Sequence, residues 1–198
     1  MTEHGLTVAR RVPDVRQRRL ASDTAFWGFI FADMTVFALF FIAYLWQFGS
    51  NRSEFRADAA HLVIWLGLTN ALILLTSSYL VVRAVQKHRA GTDARMLIGW
   101  ALALAAAFAL VKSGEYAIEI SAGHTLKSST FFMYYFVLTG LHLMHVLIGS
   151  TLLLTWWRGE RSGRPVSFRF AESAAGYWHM VDLLWILIFS FVYIGSHA

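Results

Sequence analysis

Four ionisable side chains form two pairs whose members are three residues apart: His142 with His145, and His179 with Asp182. Residues three apart lie on the same face of a helix, so both members of a pair point to one side. Inward-facing pairs of this kind hold metals in helix bundles. The same side chains could serve proton or substrate transfer, or hydrogen-bond between helices as structural ties. Spacing favours the structural role and leaves the other two open.

A second set of polar residues is embedded in long apolar stretches. Lys112 precedes Glu115 by three residues, so the two can neutralise each other as an ion pair on one helix, although a lysine can also extend outward to water. The set is completed by two further carboxylates and two neutral residues that would form a polar seam: Asp33, Glu119, Asn70 and Ser77.

The composition indicates where these residues must lie. The 198 residues are 57% hydrophobic, 16% aromatic and only 15% charged, with no cysteine, whereas soluble domains carry about 25% charged residues. Such a composition excludes a disordered chain. The missing cysteine excludes disulfides, thiolate-bound zinc, cysteine-ligated iron–sulfur clusters and a cysteine nucleophile. We therefore expect an integral membrane protein, with any charged group in a span facing its interior or a partner.

Five segments are long and apolar enough to span a bilayer, which takes about 20 residues per helix. None alternates as a transmembrane β-strand would. The predicted fold is all-α: a polytopic membrane protein formed by a five-transmembrane-helix bundle. A basic segment, residues 1–23, would precede a membrane domain, residues 24–198, with spans at 25–48, 61–82, 96–120, 130–157 and 174–195. Four tryptophans are predicted to form interfacial belts: Trp46, Trp65, Trp156 and Trp157.

Lysine and arginine are distributed unevenly between the connections. Thirteen lie on the side of the N-terminus and three on the opposite side, with Lys112 inside a span. Because basic residues concentrate in cytoplasmic connections, the N-terminus is predicted to be cytoplasmic and the C-terminus outside. This topology also accounts for the net charge of +5 without a nucleic-acid partner.

The depth of each polar residue follows from the helical rise of 1.5 Å per residue. On this basis two clusters are expected at different levels of the membrane. The inner cluster would contain Asp33, His145, His179 and Asp182. The outer cluster would contain Lys112, Glu115, Glu119 and His142.

Two long C-terminal motifs resemble those of a known family. The run Thr139-Gly140-Leu141-His142, followed by His145 and Gly149, resembles the Thr-Gly-Phe-His-Gly-x-His-Val-x-x-Gly signature of subunit III of haem–copper oxidases. The second run resembles that family's Glu…Tyr-Trp-His-Phe-Val-Asp-x-x-Trp and contains Glu172, Tyr177, Trp178, His179, Asp182 and Trp185. Weaker similarities add Asp33, Asn70, the stretch 75–78 and Glu115-Tyr116, so the resemblance covers residues 24–195.

The resemblance implies a subunit that holds no catalytic cofactor and no metal of its own. Haem and copper, or haem and non-haem iron, would belong to the catalytic subunit I beside it, with subunit II and bound phospholipid as further partners. The implied roles are sustaining proton uptake, stabilising the catalytic centre and holding lipids along an oxygen path, in the inner (plasma) membrane of a bacterium. Asp33 would replace the family's carbodiimide-reactive membrane carboxylate, and five spans would correspond to the form that lacks two N-terminal helices.

Three departures from the family pattern stand out. Lys112 replaces the usual glutamine, Leu143 replaces the glycine after the first histidine, and Asp33 is shorter than the commoner glutamate. The stretches 131–136 and 178–185 are most similar to the branch associated with nitric oxide reductases, whose members accompany a related enzyme that reduces NO. A cytochrome c oxidase and a quinol oxidase are the other interpretations.

Two other classes of function are compatible with the residues. A stand-alone proton or ion transporter would use Asp33, Lys112 and Glu115 as a relay, because ionisable residues inside a membrane are often functional. The sequence has no internal repeat and no helices broken by glycine or proline, which are typical of transporters. A membrane redox enzyme would instead hold two metals at the histidine pairs.

Overall fold

Helices account for most of the described backbone. The computed structural model describes the backbone of residues 15–195 and the side chains of residues 24 and 26–195. Within that range there are six α-helices and no β-strand, and the last α-helix continues into a π-helical segment, Phe189–Gly195. The helices are α1 (Val15–Ser50), α2 (Arg52–Ala59), α3 (Ile64–Arg89), α4 (Arg95–Ser121), α5 (Thr130–Arg161) and α6 (Phe168–Ile188). The all-α prediction is confirmed.

Five of the helical segments are long and apolar enough to cross a membrane. They are Phe26–Ser50, Ile64–Arg89, Arg95–Ser121, Thr130–Arg161 and Phe168–Gly195. Each contains most of one predicted span, so the prediction of five spans is confirmed. The second and fourth spans end later and the fifth begins earlier than predicted, because the helical backbone extends beyond the apolar residues into the polar connections. The predicted basic segment, residues 1–23, lies outside the described side chains.

The short helix α2 was not predicted. It has only eight residues, and its mean composition is polar, so a search for apolar spans misses it. Phe55 and Ala59 are nevertheless fully buried on one of its faces. The Phe55 ring packs edge-on against Phe131 with centroids 5.7 Å apart, which anchors α2 on the start of α5.

Glycines end three of the spanning helices in the same way. Gly91, Gly123 and Gly163 have φ angles of 67°, 89° and 67°, a left-handed conformation that favours glycine. The next residue in each case donates its N–H back to the last helical turn at 2.9, 2.9 and 3.0 Å, which is the Schellman pattern. At the opposite end, the Ser129 and Ser167 hydroxyls accept the N–H groups of Phe132 and Phe170, capping α5 and α6.

The chain divides into two units, Met1–Val36 and Phe37–Ala198. The first unit contains the beginning of α1. In the second unit α3 packs against α4 and α6, and α5 also packs against α4 and α6, so these four helices close into a ring. The last span is the most enclosed of the four, with 56% of its apolar window buried against 28–39% for the others. The last span therefore supplies much of the buried interior of these four helices.

Two glycines allow neighbouring helices to approach the last span closely. A Cβ atom on Gly67 would lie 2.9 Å from the rings of Phe189 and Tyr193. A Cβ atom on Gly149 would lie 2.7 Å from Cε3 of Trp178. Both distances are shorter than van der Waals contact, so these positions have no room for a side chain.

We expect Gly149→Ala to destabilise the protein by about 1–3 kcal/mol, the usual effect of overpacking a core. Gly140→Ala on the same helix is the matched control, since its Cβ would lie 3.8 Å from the Tyr116 hydroxyl, an ordinary contact. Unfolding with SDS in mixed micelles gives both free energies. Equal effects of the two substitutions would contradict a tight contact at Gly149.

Candidate functional site

A closed network of charged and phenolic groups connects α4, α5 and the π segment. Lys112 Nζ donates to Glu115 Oε2 at 3.2 Å, to the Tyr135 hydroxyl at 3.0 Å and to the Tyr193 hydroxyl at 2.7 Å. The two hydroxyls donate in turn to Glu115 Oε1, at 2.9 Å from Tyr135 and 2.5 Å from Tyr193. An ammonium group has three protons, so all three are used within this network.

Aromatic rings surround the Lys112 ammonium group. Its nitrogen lies 4.4 Å from the ring centre of Tyr135, 5.1 Å from Tyr116, 5.3 Å from Tyr193 and 5.4 Å from Trp185. Ring faces attract a cation at these distances, and Lys112 is completely buried. The ion pair with Glu115 expected from the spacing is confirmed, and the lysine points inward. Its charge is therefore compensated inside the protein.

Glu119, one turn further along α4, has a different partner. Its Oε2 lies 2.8 Å from Nδ1 of His124, a residue of the connection between α4 and α5. The His124 ring stacks on Phe132 at 4.3 Å and lies 4.8 Å from the His61 ring. His124 was not predicted from the sequence, because it lies in a connection and not within an apolar span.

His142 lies in an aromatic environment next to the network. It is fully buried, with Phe108 edge-on at 5.5 Å and Trp185 at 5.1 Å. Among the described residues neither of its ring nitrogens has a hydrogen-bond partner, and the same holds for the amide of Asn70 on α3. Trp185 donates its Nε1 proton to the Gly67 carbonyl oxygen at 3.4 Å, so this layer joins α3, α4, α5 and α6.

His145 faces a different surface from His142 although it is only three residues away. Its Nδ1 lies 2.7 Å from the Leu141 carbonyl oxygen of its own helix. Its ring packs edge-on against Phe37 at 5.4 Å and stacks with Tyr177 at 6.4 Å. The two histidines therefore have separate aromatic neighbours.

The second predicted pair connects α6 to α3. His179 Nδ1 lies 2.7 Å from the Ser78 hydroxyl and 3.9 Å from Asp182 Oδ2. The His179 side chain is 38% exposed, whereas that of Asp182 is 5% exposed. The neighbouring Ser77 donates to the Ala101 carbonyl oxygen at 3.2 Å. Consecutive serines on α3 thus bind α6 on one side and α4 on the other.

The remaining candidates are placed as follows. Asp33 lies on α1 within the first unit, whereas His179 and Asp182 lie in the second. The expected proximity of Asp33 to these two residues therefore stays a prediction. Glu172 is exposed on α6. Trp178 is fully buried against Gly149.

One tryptophan predicted for the interfacial belt is in the core instead. Trp156 is completely buried and donates its Nε1 proton to Glu160 Oε1 at 3.1 Å. The same oxygen lies 2.6 Å from Nδ1 of His88 on α3, so the prediction for Trp156 was wrong because this residue faces a neighbouring helix. Trp46 and Trp65, by contrast, are 76% and 74% exposed.

The acidic and imidazole side chains described for α4, α5 and α6 have separate sets of neighbours. Across the part of the chain whose side chains are described, no group of three or more His, Cys, Asp or Glu residues is placed to hold a metal ion. His142 and His145 pack against aromatic rings, and His145 is also bonded to a carbonyl of its own helix. His179 is hydrogen-bonded to a side chain of another helix, that of Ser78.

Comparison with known proteins gives one consistent result. The profile of the family described as Cytochrome c oxidase subunit III matches residues 22–197. The chain is 29% identical over 172 residues to a cytochrome c oxidase subunit 3 from Thermostichus vulcanus, covering 84% of this chain and 83% of that protein. It is 30% identical to the cytochrome c oxidase subunit 3 of Lumbricus terrestris, in an alignment that covers 84% of this chain and 68% of that protein. It is 31% identical to the subunit 3 of Equus caballus, over 64% of this chain and 49% of that protein.

Proposed function

Because this chain belongs to the cytochrome c oxidase subunit III family, we propose that it is a non-catalytic membrane subunit of a haem–copper respiratory oxidoreductase. It packs beside the haem-bearing subunit I, together with subunit II. Subunit I holds haem and copper if the complex reduces O₂, or haem and non-haem iron if it reduces NO. This chain supports proton uptake, the access of lipid and oxygen, and the stability of the catalytic centre. The observation that carries the proposal is the family match over residues 22–197.

The closed network around Lys112 supports this role over that of a stand-alone transporter. A proton relay needs groups that exchange protons with water on the two sides of the membrane. Lys112 is completely buried, and its three protons are all donated within the network. Buried polar groups that are fully satisfied make a structure rigid, which suits a scaffold.

Purification in a mild detergent through a tag on this chain tests the proposal. We expect a large haem-bearing subunit to co-elute. The preparation should consume O₂ or NO with a cytochrome c or a quinol as donor, which identifies the branch. Elution of the chain alone would contradict the proposal. Proton flux into vesicles that contain only this chain would also contradict it, if the Asp33→Asn substitution abolishes that flux.

Asp33 is proposed to act in proton uptake and not in assembly. We expect Asp33→Asn to leave the complex intact but to make it inactivate after fewer turnovers, because the amide cannot take up a proton. Asp33→Glu, which restores the carboxylate, is the matched control. Turnover number and the number of turnovers before inactivation are measured on purified complex. Loss of the complex from membranes in Asp33→Asn would indicate a structural residue instead.

The proposed topology places the N-terminus in the cytoplasm and the protein in a bacterial plasma membrane. The chain has no cysteine, so single cysteines can be introduced without any background. In intact cells we expect a membrane-impermeant maleimide to label Leu126→Cys, in the connection after α4, and not Arg164→Cys, in the connection after α5. Both positions are exposed. The opposite labelling pattern would reverse the topology.

A further inference from the structure

We propose that the groove between α4 and α5 binds one anionic phospholipid, with its headgroup at the arginine-bearing end of these helices. The proposal makes one part of the proposed function specific, the holding of lipid, and rests on it for the membrane setting. It depends on two adjoining cavities that lie on the outer side of the same pair of helices.

The first cavity has the features of a headgroup site. It has a volume of about 500 Å³ and lies between the first turns of α4 and the last turn of α5, where Arg95, Trp100, Trp157 and Arg161 line it. Guanidinium groups bind phosphate oxygens in a bidentate manner, and tryptophans favour the headgroup level of a bilayer. Gly99 leaves room for the Trp157 indole, whose Nε1 would lie 3.4 Å from a Cβ atom at that position.

The two arginines are not equivalent. The Arg95 guanidinium already forms an ion pair with Asp93 at 3.2 Å, and both side chains are about half exposed. The Arg161 guanidinium lies 5.2 Å above the ring centre of Trp157, a position that orients it at the cavity wall. The site remains positive overall, because two arginines face one aspartate. We therefore expect Arg161 to be the main anchor and the lipid to carry a net negative charge.

The second cavity continues the first along the helices and has the features of an acyl-chain site. Its volume is about 430 Å³, and small residues of both helices line it, among them Ala106, Ala109, Ser113 and Ser150. The first cavity extends to Ala103 and the second begins at Leu102. The stretch from Arg95 to Ser113 measures about 27 Å at the helical rise, more than the ~15 Å of one leaflet. The two cavities together are therefore long enough along α4 to take one acyl chain.

Native mass spectrometry of the purified full-length protein, with phosphatidylglycerol and phosphatidylcholine of identical acyl chains, tests the headgroup. We expect one phosphatidylglycerol to be retained in preference to phosphatidylcholine. Arg161→Gln should weaken its binding about fivefold, the typical contribution of one basic residue near anionic lipid, and Arg95→Gln should weaken it less. Arg158→Gln, an exposed arginine of the same helix outside the groove, is the control and should bind as the wild type does. Equal retention of the two lipids, or an equal effect of Arg158→Gln, would overturn the proposal.

A second variant separates a lipid from a soluble anion. Ala106→Phe fills the acyl-chain cavity and leaves both arginines intact, so lipid retention should fall. Retention that is unchanged in this variant, together with competition by inorganic phosphate, would mean that a free anion occupies the arginine site. Crosslinking of Ala106→Cys to another polypeptide in the whole complex would mean that a protein helix fills the groove. Either result refutes the lipid proposal.

The same samples keep this proposal distinct from the proposed function. Arg161→Gln should still co-purify with the haem-bearing subunit, since only the lipid is lost. Lipid retention by a chain that brings no haem protein with it would count against the proposed function and leave the lipid site standing.

Discussion

Replacing Lys112 with methionine is expected to lower the free energy of unfolding by about 3–5 kcal/mol. The substitution leaves the buried Glu115 carboxylate without its counter-charge, and breaking a buried pair by removing one partner typically has an effect of this size. The side chains of Lys112 and Glu115 are 0% and 2% exposed, so water cannot replace the lost partner. Unfolding by SDS in mixed micelles measures the change.

A double-mutant cycle provides the control for this prediction. Glu115→Gln alone should also destabilise the protein, because it leaves the ammonium group unpaired. The double variant Lys112→Met/Glu115→Gln removes both charges and keeps an amide that can accept from the two tyrosine hydroxyls. It should therefore be more stable than either single variant, a strong coupling that residues in contact often show. Additive effects of the two substitutions would disprove the ion pair.

Replacing Trp185 with alanine is expected to destabilise the protein by about 3–5 kcal/mol, as large-to-small substitutions of buried tryptophans do. Trp185 is completely buried, with its ring 4.9 Å from that of Phe108 and 5.1 Å from that of His142. Alanine would remove these contacts, the hydrogen bond to the Gly67 carbonyl and one wall of the site around Lys112. The thermal midpoint in detergent, combined with SDS unfolding, measures the loss.

Two variants test whether burial causes the effect. Trp65→Ala removes a tryptophan that is 74% exposed and should change stability far less, because lipid or detergent takes its place. Trp185→Phe keeps most of the packing and loses the hydrogen bond to Gly67, so we expect a loss of about 1 kcal/mol. If Trp65→Ala and Trp185→Ala lower stability by similar amounts, burial does not explain the contribution of Trp185 to stability.

Features that depend on neighbours along the chain were predictable from the sequence. The five spans follow from the length of apolar runs, and the Lys112–Glu115 pair follows from a spacing of three residues within one helix. Glycine, the residue that most often follows the end of a helix, occupies positions 91, 123 and 163, directly after the caps of three helices. All of these are local properties that tertiary packing does not have to supply.

Features that depend on which helices become neighbours were not predictable. The sequence gave no sign that Tyr135 and Tyr193 both bind Glu115, since 78 residues separate Tyr193 from Glu115. Trp156 and Trp157 are adjacent and chemically identical, yet only the first is fully buried. The difference comes from the face of α5 that meets α3 and from Glu160, whose partner His88 lies 72 residues away.

The position of Lys112 and Glu115 on a single helix has a consequence for biosynthesis. A charge at the centre of an isolated helix raises the free energy of insertion by about 2.5–3.5 kcal/mol. Since the two residues are three apart on α4, they can neutralise each other as soon as that helix leaves the ribosome and enters the bilayer. Tyr135 and Tyr193 lie later in the chain, so they are synthesised after α4. The order of synthesis therefore allows the neutral pair to form before the two hydroxyls that connect α4 to α5 and to the π segment are available.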